Sequence, residues 1–270
     1  MSSELAAYAN TGIVALRGEP SDAAEMVTQL VMGETVEVLH EQQDSWVKVR
    51  AHFDGYRGWV NRKEIEFFEP GEMEQWLRQP DLRRLGCHTF RAGSSCEEPA
   101  LIPVGALAVL EEHKGKQRVR LPHRHYEVEA ELSMLRGQSL LETARGFLGT
   151  PYLWGGRTDV GVDCSGLVQM VFALHGYRVP RDSGDQYAVS KEGITELGEA
   201  RPGDLIYFNP TGGRISHVGF YAGQGAVLHA SGNVHIASLD TANDFRNAYP
   251  LNHKLADHIY AIQRQESLMG

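Results

Sequence analysis

Three residues carry the chemistry open to this 270-residue chain. After Cys164, the apolar residues Leu167, Val168, Val171 and Phe172 recur at helical spacing, which puts the thiol in the first turn of a helix. There the helix dipole and unpaired backbone N–H groups favour thiolate, the reactive form, over thiol. The same N–H groups can face the oxyanion that forms when sulfur attacks a carbonyl. Glycines around the cysteine keep side chains off the sulfur and let a substrate backbone approach. A nucleophile also needs a base. His217 opens the strand Val218-Gly219-Phe220-Tyr221, and His229 ends Ala226-Val227-Leu228, just beyond the Gly223-Gln224-Gly225 hairpin. Two adjacent antiparallel strands set these imidazoles side by side, so that one ring nitrogen of His217 meets His229 and the other meets Cys164. A lone cysteine at a helix start is structural more often than reactive, and each imidazole is one of 12 histidines. Their conjunction points to acyl chemistry on a thiol.

The elements that position these groups begin near Gly137. Ser139 caps a helix in which Leu140, Leu141, Ala144, Phe147 and Leu148 recur at helical spacing, and Gly149 with Pro151 ends it. A Gly-rich loop, a helix from Cys164 to about His175, alternating strands from Asp204 to Ile236 and a last strand Ile259 to Ile262 follow. Helices first and a largely antiparallel sheet afterwards is an α+β pattern. Upstream, from about Thr11 to Phe68, Val36, Val38, Val47 and Val49 alternate with Glu37, Lys48 and Arg50 in short half-buried strands, with turns at Gly33 and Asp54-Gly55. Val104 to Leu110 and Arg118 to Leu121 echo Val31 to Leu39 and Lys48 to Ala51 at a nearly constant offset, the mark of two related small β-barrels. Between them Glu69-Pro70-Gly71 breaks the strands, and Met73 to Leu77 form a helical turn in which Trp76 and Leu77 are expected to be buried. The expected organisation is a first barrel over 1–68, a connector over 69–80, a second barrel over 81–136 and the thiol domain over 137–270.

These residues resemble the NlpC-type family of papain-like cell-wall peptidases. The family's ordered motifs have counterparts at Tyr152 to Gly156, Asp163-Cys164-Ser165-Gly166, Pro202 to Leu205, Ser216-His217-Val218-Gly219 and His229. The likeness runs from about Gly137 to Arg264. It implies a papain-like catalytic domain that cleaves the amide between γ-D-glutamate and a diamino acid, meso-diaminopimelate or L-lysine, in peptidoglycan stem peptides, without metal or cofactor. Cys164 would attack, His217 would shuttle the proton and His229 would hold the His217 tautomer. Tyr152 either adds a hydroxyl donor near the oxyanion or packs beside Trp154.

The segments Arg17 to Pro20, Ala24 to Leu30, Trp46 to Val49 and Tyr56 to Val60 resemble a bacterial SH3-like domain. The second barrel fits that pattern loosely and lacks the Gly-Trp element. Two such domains before an NlpC-type domain resemble peptidases that recycle short muropeptides, in which the first barrel and the nucleophile loop bind the free amine of the substrate's N-terminal L-alanine. That likeness assigns substrate binding to Asp163, Ser165, Tyr56, Asp182 and Ser183, with Glu25, or less directly Glu19, as the acidic residue of the first barrel. Each has a plainer reading: Asp163, Ser165 and Ser183 as helix caps, Tyr56 as barrel core, Glu25 as a solvated charge.

Composition narrows the partners. A net charge of −9 without a long Lys/Arg run argues against nucleic acid and anionic membranes. No run of about 18 apolar residues suggests a membrane span, and the N-terminus lacks signal-peptide character. The expectation is a cytoplasmic protein, or an exported one whose leader has been removed. Three cysteines, Cys87, Cys96 and Cys164, are too few for a disulfide framework, so Cys87 and Cys96 are expected to be structural thiols. Competing readings are a wall-bound endopeptidase, an amidase or acyltransferase on the same pair, and a wall-binding module with an inactive peptidase domain.

Overall fold

The computed structural model describes residues 5–41, 45–94, 97–128, 132–189, 193–239 and 249–268. Cys96 lies outside them. The chain divides into two compact units, Met1–Met134 and Leu135–Gly270.

The N-terminal unit holds two antiparallel sheets. The first comprises β1 (Ala6–Ala9), β2 (Ile13–Arg17), β3 (Met26–Val31), β4 (Thr35–Glu41), β5 (Trp46–Ala51), β6 (Arg57–Asn61) and β7 (Ile65–Phe67), in the order β3-β2-β6-β5-β4-β1-β7. Val14, Leu16, Leu30, Val36, Val47, Val49 and Val60 form its core. A short helix α1 (Glu72–Leu77) leads to the second sheet: β8 (Leu82–Arg84), β9 (Phe90–Ser94), β10 (Glu97–Ile102), β11 (Leu107–His113), β12 (Lys116–Arg120) and β13 (His125–Val128), ordered β10-β9-β13-β12-β11-β8. Gly33, before β4, and Gly105, before β11, both adopt φ +80°, and each strand then runs into a hairpin with the next.

The two sheets are not beads on a string. Tyr8, Met32 and Phe68 from the first lie in one apolar cluster with Trp76 and with Ile102, Val109, Val119 and Leu121 from the second. At Gly33 the approach is so close that a Cβ would sit 2.0 Å from the Leu107 carbonyl oxygen. Glu34, 2% exposed, pairs with Arg84 at 2.7 Å across the same junction. Trp76 is buried as expected, but Leu77 is 44% exposed, because a six-residue helix turns only one face to the cluster.

His123 adds a titratable tie within this unit. Its Nδ1 lies 3.0 Å from Glu66 Oε1 and its Nε2 2.6 Å from Glu72 Oε1. Burial pulls the ring toward neutrality, yet hydrogen bonds and charge from Glu72 and Glu66 outweigh it, and the net pKa is raised. A raised folded pKa stabilises fully below the unfolded value of about 6.5 and is lost as pH climbs through the folded value. Wild type should therefore lose thermal stability, relative to His123→Gln, as pH rises from about 6 to about 8. Parallel pH dependences of Tm in the two proteins would contradict this.

The C-terminal unit contains α2 (Leu140–Arg145), the two-residue strands β14 (Arg157–Thr158) and β15 (Gly161–Val162), α3 (Cys164–Leu174), α4 (Ser183–Val189) and a six-stranded antiparallel sheet. Its strands are β16 (Gly193–Ile194), β17 (Leu205–Phe208), β18 (His217–Gly223), β19 (Ala226–Ser231), β20 (Asn233–Ser238) and β21 (Ile259–Gln263), in the order β16-β21-β17-β18-β19-β20. Ser139 and Glu142 form a reciprocal capping box at α2. That helix ends at Arg145, earlier than its apolar spacing suggests, and Leu148 is 45% exposed. All eleven residues of α3 are buried, so this helix forms the centre of the unit against β18 and β19. Among the described residues no helix is long and apolar enough to cross a membrane.

Candidate active site

The loop before α3 is held by its own backbone. Tyr152 N–H donates to the Gly232 carbonyl (2.9 Å), Leu153 N–H to Val162 (3.1 Å) and Asp163 N–H to Gly156 (3.2 Å). Asp163 caps α3, its Oδ1 accepting from Gly166 N–H at 2.7 Å, while Oδ2 accepts from Gly155 N–H at 2.8 Å. A Cβ at Gly166 would lie 2.1 Å from the Gly156 carbonyl oxygen, so only glycine lets the loop close this tightly over the helix start. Cys164 is thereby fixed as the first residue of α3 and is 7% exposed.

Arg181, 2% exposed, closes the arrangement from the next loop. Its guanidinium donates to both oxygens of Asp163 and, at 2.9 Å, to Ser165 Oγ, which itself donates to Asp163 Oδ1 at 3.3 Å. A buried carboxylate with a forked guanidinium partner is geometrically fixed as well as neutralised. Gln186, on α4, donates to the carbonyls of Ser165 (3.0 Å) and Pro180 (2.9 Å), tying that loop to the first turn of α3. Neither Arg181 nor Gln186 was expected as part of the site from the spacing of residues. The one signal along the chain is that Arg181 directly precedes Asp182 and Ser183, to which the family resemblance assigns substrate binding.

The two imidazoles meet as their strands predict. His217 starts β18, His229 pairs with Gly219 across β18–β19, and His217 Nε2 lies 2.9 Å from His229 Nδ1 with the rings nearly perpendicular at 88°. His217 therefore has Nδ1 as its second nitrogen. The Cys164 sulfur takes backbone hydrogen bonds from Val218, next to His217, and from Ser165. Gly219 makes room for His229, since a Cβ there would stand 2.9 Å from His229 Cβ and 2.7 Å from Val227 Cγ2. Gly219→Ala should displace His229 and lower turnover by roughly a hundredfold, the usual result of an ångström-scale misplacement; turnover unchanged in a folded variant would contradict this role for the glycine.

The electrostatics differ from the expectation of a thiolate. Burial pushes the Cys164 thiol up to about 12, and the Asp163 carboxylate adds to the rise, against smaller opposing effects of the Val218 and Ser165 hydrogen bonds and Arg181. Burial likewise lowers His217 to about 4, with His235 acting the same way, and lowers His229 to about 3, helped by His217 and His235. Removal from water disfavours every charged form, and here it outweighs the helix dipole. At rest the thiol of Cys164 and the imidazole of His217 are both neutral.

Of the remaining candidates, Tyr152 is half-buried, and burial followed by the charges of Cys164 and Asp163 pushes its hydroxyl up to about 12. Ser183 is buried at the start of α4, and exposed Asp182 precedes it, its carbonyl accepting from Gln186 N–H at 2.9 Å. Tyr56 and Glu25 belong to the N-terminal unit. Tyr56 packs against the core of the first sheet, and Glu25 is exposed, its carbonyl accepting from Gly18 N–H at 3.0 Å.

Comparison with known proteins agrees with this architecture. Residues 149–250 match the NlpC/P60 family, and residues 16–65 match the bacterial dipeptidyl-peptidase SH3 domain. The latter match lies within the first sheet and does not reach the second. A gamma-D-glutamyl-L-lysine dipeptidyl-peptidase of Bacillus subtilis is 31% identical over 218 residues, spanning 75% of this chain and 71% of that protein. Dipeptidyl-peptidase 6 of Lysinibacillus sphaericus is 27% identical, over 83% of this chain and 88% of that one. In fold, the chain is similar to an NlpC/P60 family protein from Bacillus cereus, with a TM-score of 0.74, 21% identity, and coverage of 98% and 100% of the two chains.

Proposed function

We propose that this chain, which belongs to the NlpC/P60 family of peptidases, hydrolyses the amide between γ-D-glutamate and a diamino acid, meso-diaminopimelate or L-lysine, in peptidoglycan-derived peptides. The product is L-Ala-γ-D-Glu, released from peptides with a free N-terminal L-alanine. The observation that carries this reading is the 31% likeness to a gamma-D-glutamyl-L-lysine dipeptidyl-peptidase over most of both chains, joined to a buried Cys164 whose sulfur is hydrogen-bonded by the backbone of Val218, the residue after His217, which is itself paired with His229. Peptides with a free alanine amine are what breakdown of wall fragments supplies, so the reading includes a role in muropeptide recycling inside the cell.

In this reading Cys164 Sγ attacks the γ-carbonyl as its proton passes to His217 Nδ1, because both groups are neutral at rest. Backbone N–H groups at the start of α3 receive the oxyanion. Tyr152, whose hydroxyl stays protonated, is a second donor. The His217 proton then goes to the leaving amine, a thioester forms, and His217 activates the water that hydrolyses it. Asp163 and Ser165 hold the nucleophile loop through Arg181. The substrate ammonium requires a carboxylate once it leaves water. Asp182, with Ser183 beside it, is an exposed carboxylate of the nucleophile's own unit; the family resemblance adds the carboxylates of Asp163 and Glu25 and the hydroxyl of Tyr56 as candidates.

Purified protein should cleave L-Ala-γ-D-Glu-L-Lys, and acetylating the alanine amine should abolish turnover. Equal cleavage of the acetylated peptide would reject dipeptide release in favour of an endopeptidase acting inside the wall.

A further inference from the structure

A third imidazole completes the histidine pair, and no motif pointed to it. His235 on β20 is the direct cross-strand partner of His229 on β19, with ring centroids 4.5 Å apart and planes tilted by 57°. His235 is itself tied down, its Nδ1 lying 3.0 Å from the Asn233 carbonyl oxygen. A carbonyl only accepts, so Nδ1 carries the proton in that bond and Nε2 is bare in the neutral ring.

Counting protons shows why such a neighbour matters. One proton is shared between His217 Nε2 and His229 Nδ1. If it belongs to His229, neutral His217 carries its own proton on Nδ1 and cannot accept one from Cys164. If it belongs to His217, Nδ1 is free to act as the base, and neutral His229 must then carry its proton on Nε2. That atom is fully buried and has no hydrogen-bond partner among the described residues. A buried polar N–H without an acceptor costs about 1–3 kcal/mol, enough to bias the pair toward the inert tautomer. The ring of His235 is the aromatic surface packed on His229, and an N–H gains modestly from a π-system.

We propose that His235 is a positioning residue that holds His229 in its Nε2–H tautomer and thereby keeps His217 Nδ1 available as the base toward Cys164. The inference rests on the assignment of Cys164 and His217 made above and goes beyond it, because the role belongs to a ring one strand removed from the reacting atoms. It also specifies which property is needed: a flat π-surface, not a hydrogen-bonding side chain.

The test uses the full chain, L-Ala-γ-D-Glu-L-Lys as substrate, and the variants His235→Ala and His235→Phe. His235→Ala should lower kcat about tenfold or more, a barrier change of roughly 1.4 kcal/mol, with KM within about twofold. His235→Phe, which restores a ring and nothing else, should recover most of that loss. Nitrogen-15 NMR of the histidines should place the His229 proton on Nε2 in wild type and move it toward Nδ1 in His235→Ala. Wild-type kcat in His235→Ala overturns the proposal, as does a wild-type His229 protonated on Nδ1. The latter measurement needs no variant and stands if His235→Ala fails to fold. Failure of the underlying assignment looks different: Cys164→Ala or His217→Ala would then retain turnover, whereas failure of this inference leaves those two inactive and only His235→Ala unaffected.

Discussion

Cys164→Ala should retain no more than about a thousandth of wild-type turnover on L-Ala-γ-D-Glu-L-Lys, the loss typical when the nucleophile of a cooperating set is removed. The substitution removes a single sulfur from a site that is 7% exposed, so folding should be little affected, and an unchanged circular dichroism spectrum would confirm that only chemistry was lost. His217→Ala should fall by a similar factor, and the double variant by little more, because nucleophile and base act as one unit. The pH profile follows from the same burial. With His217 lowered to about 4, the base is unprotonated above that pH and takes up a proton as pH falls through it, so kcat/KM should be lost on the acid side near pH 4 rather than near the ordinary histidine value. With Cys164 pushed up to about 12, iodoacetamide should alkylate the resting enzyme slowly at neutral pH. Rapid alkylation below neutral pH would instead indicate a preformed thiolate–imidazolium pair.

Arg181→Met is expected to be the most destabilising single change in the C-terminal unit, costing about 3–5 kcal/mol, because it strands a buried carboxylate. Arg181 and Asp163 have side chains only 1% and 8% exposed, so water cannot take over the lost partner. Urea denaturation reads the cost directly, and the double variant Arg181→Met/Asp163→Asn should regain part of it by removing the stranded charge. Activity should fall as well, since Asp163 caps α3 and anchors the loop through Gly155. A stability loss below about 1 kcal/mol would mean that the pair is solvated and contributes no more than a surface ion pair.

Much of the site could be read along the chain because its signals are local. The helix after Cys164, the Gly223–Gly225 hairpin and the strands holding His217 and His229 follow from residue spacing and turn chemistry, and the observed strands pair as those signals require. Arg181 lies 18 positions from Asp163, and nothing in either segment announces a buried fork between them. His235 is similar: its relation to His229 depends on the β19–β20 register, which a run of alternating residues does not specify. The exposure of Leu77 and Leu148 has a related cause. Apolar spacing proposes a face for a helix, but the length of the helix and what packs on it decide which of those residues reach the core.

By itself, the sequence determined the order of elements, the strand–turn–strand grammar of the N-terminal half and the identity of the cysteine and two histidines, since each depends on residues within a few positions of one another. The close approach of the first two sheets, which Gly33 permits only because Leu107 meets it there, was decided in three dimensions. So was the charge state of the nucleophile. Helix position alone favours a thiolate, but the tertiary structure closes the loop over α3, sets Asp163 beside the sulfur and excludes water, and in that medium the neutral thiol is the more stable form.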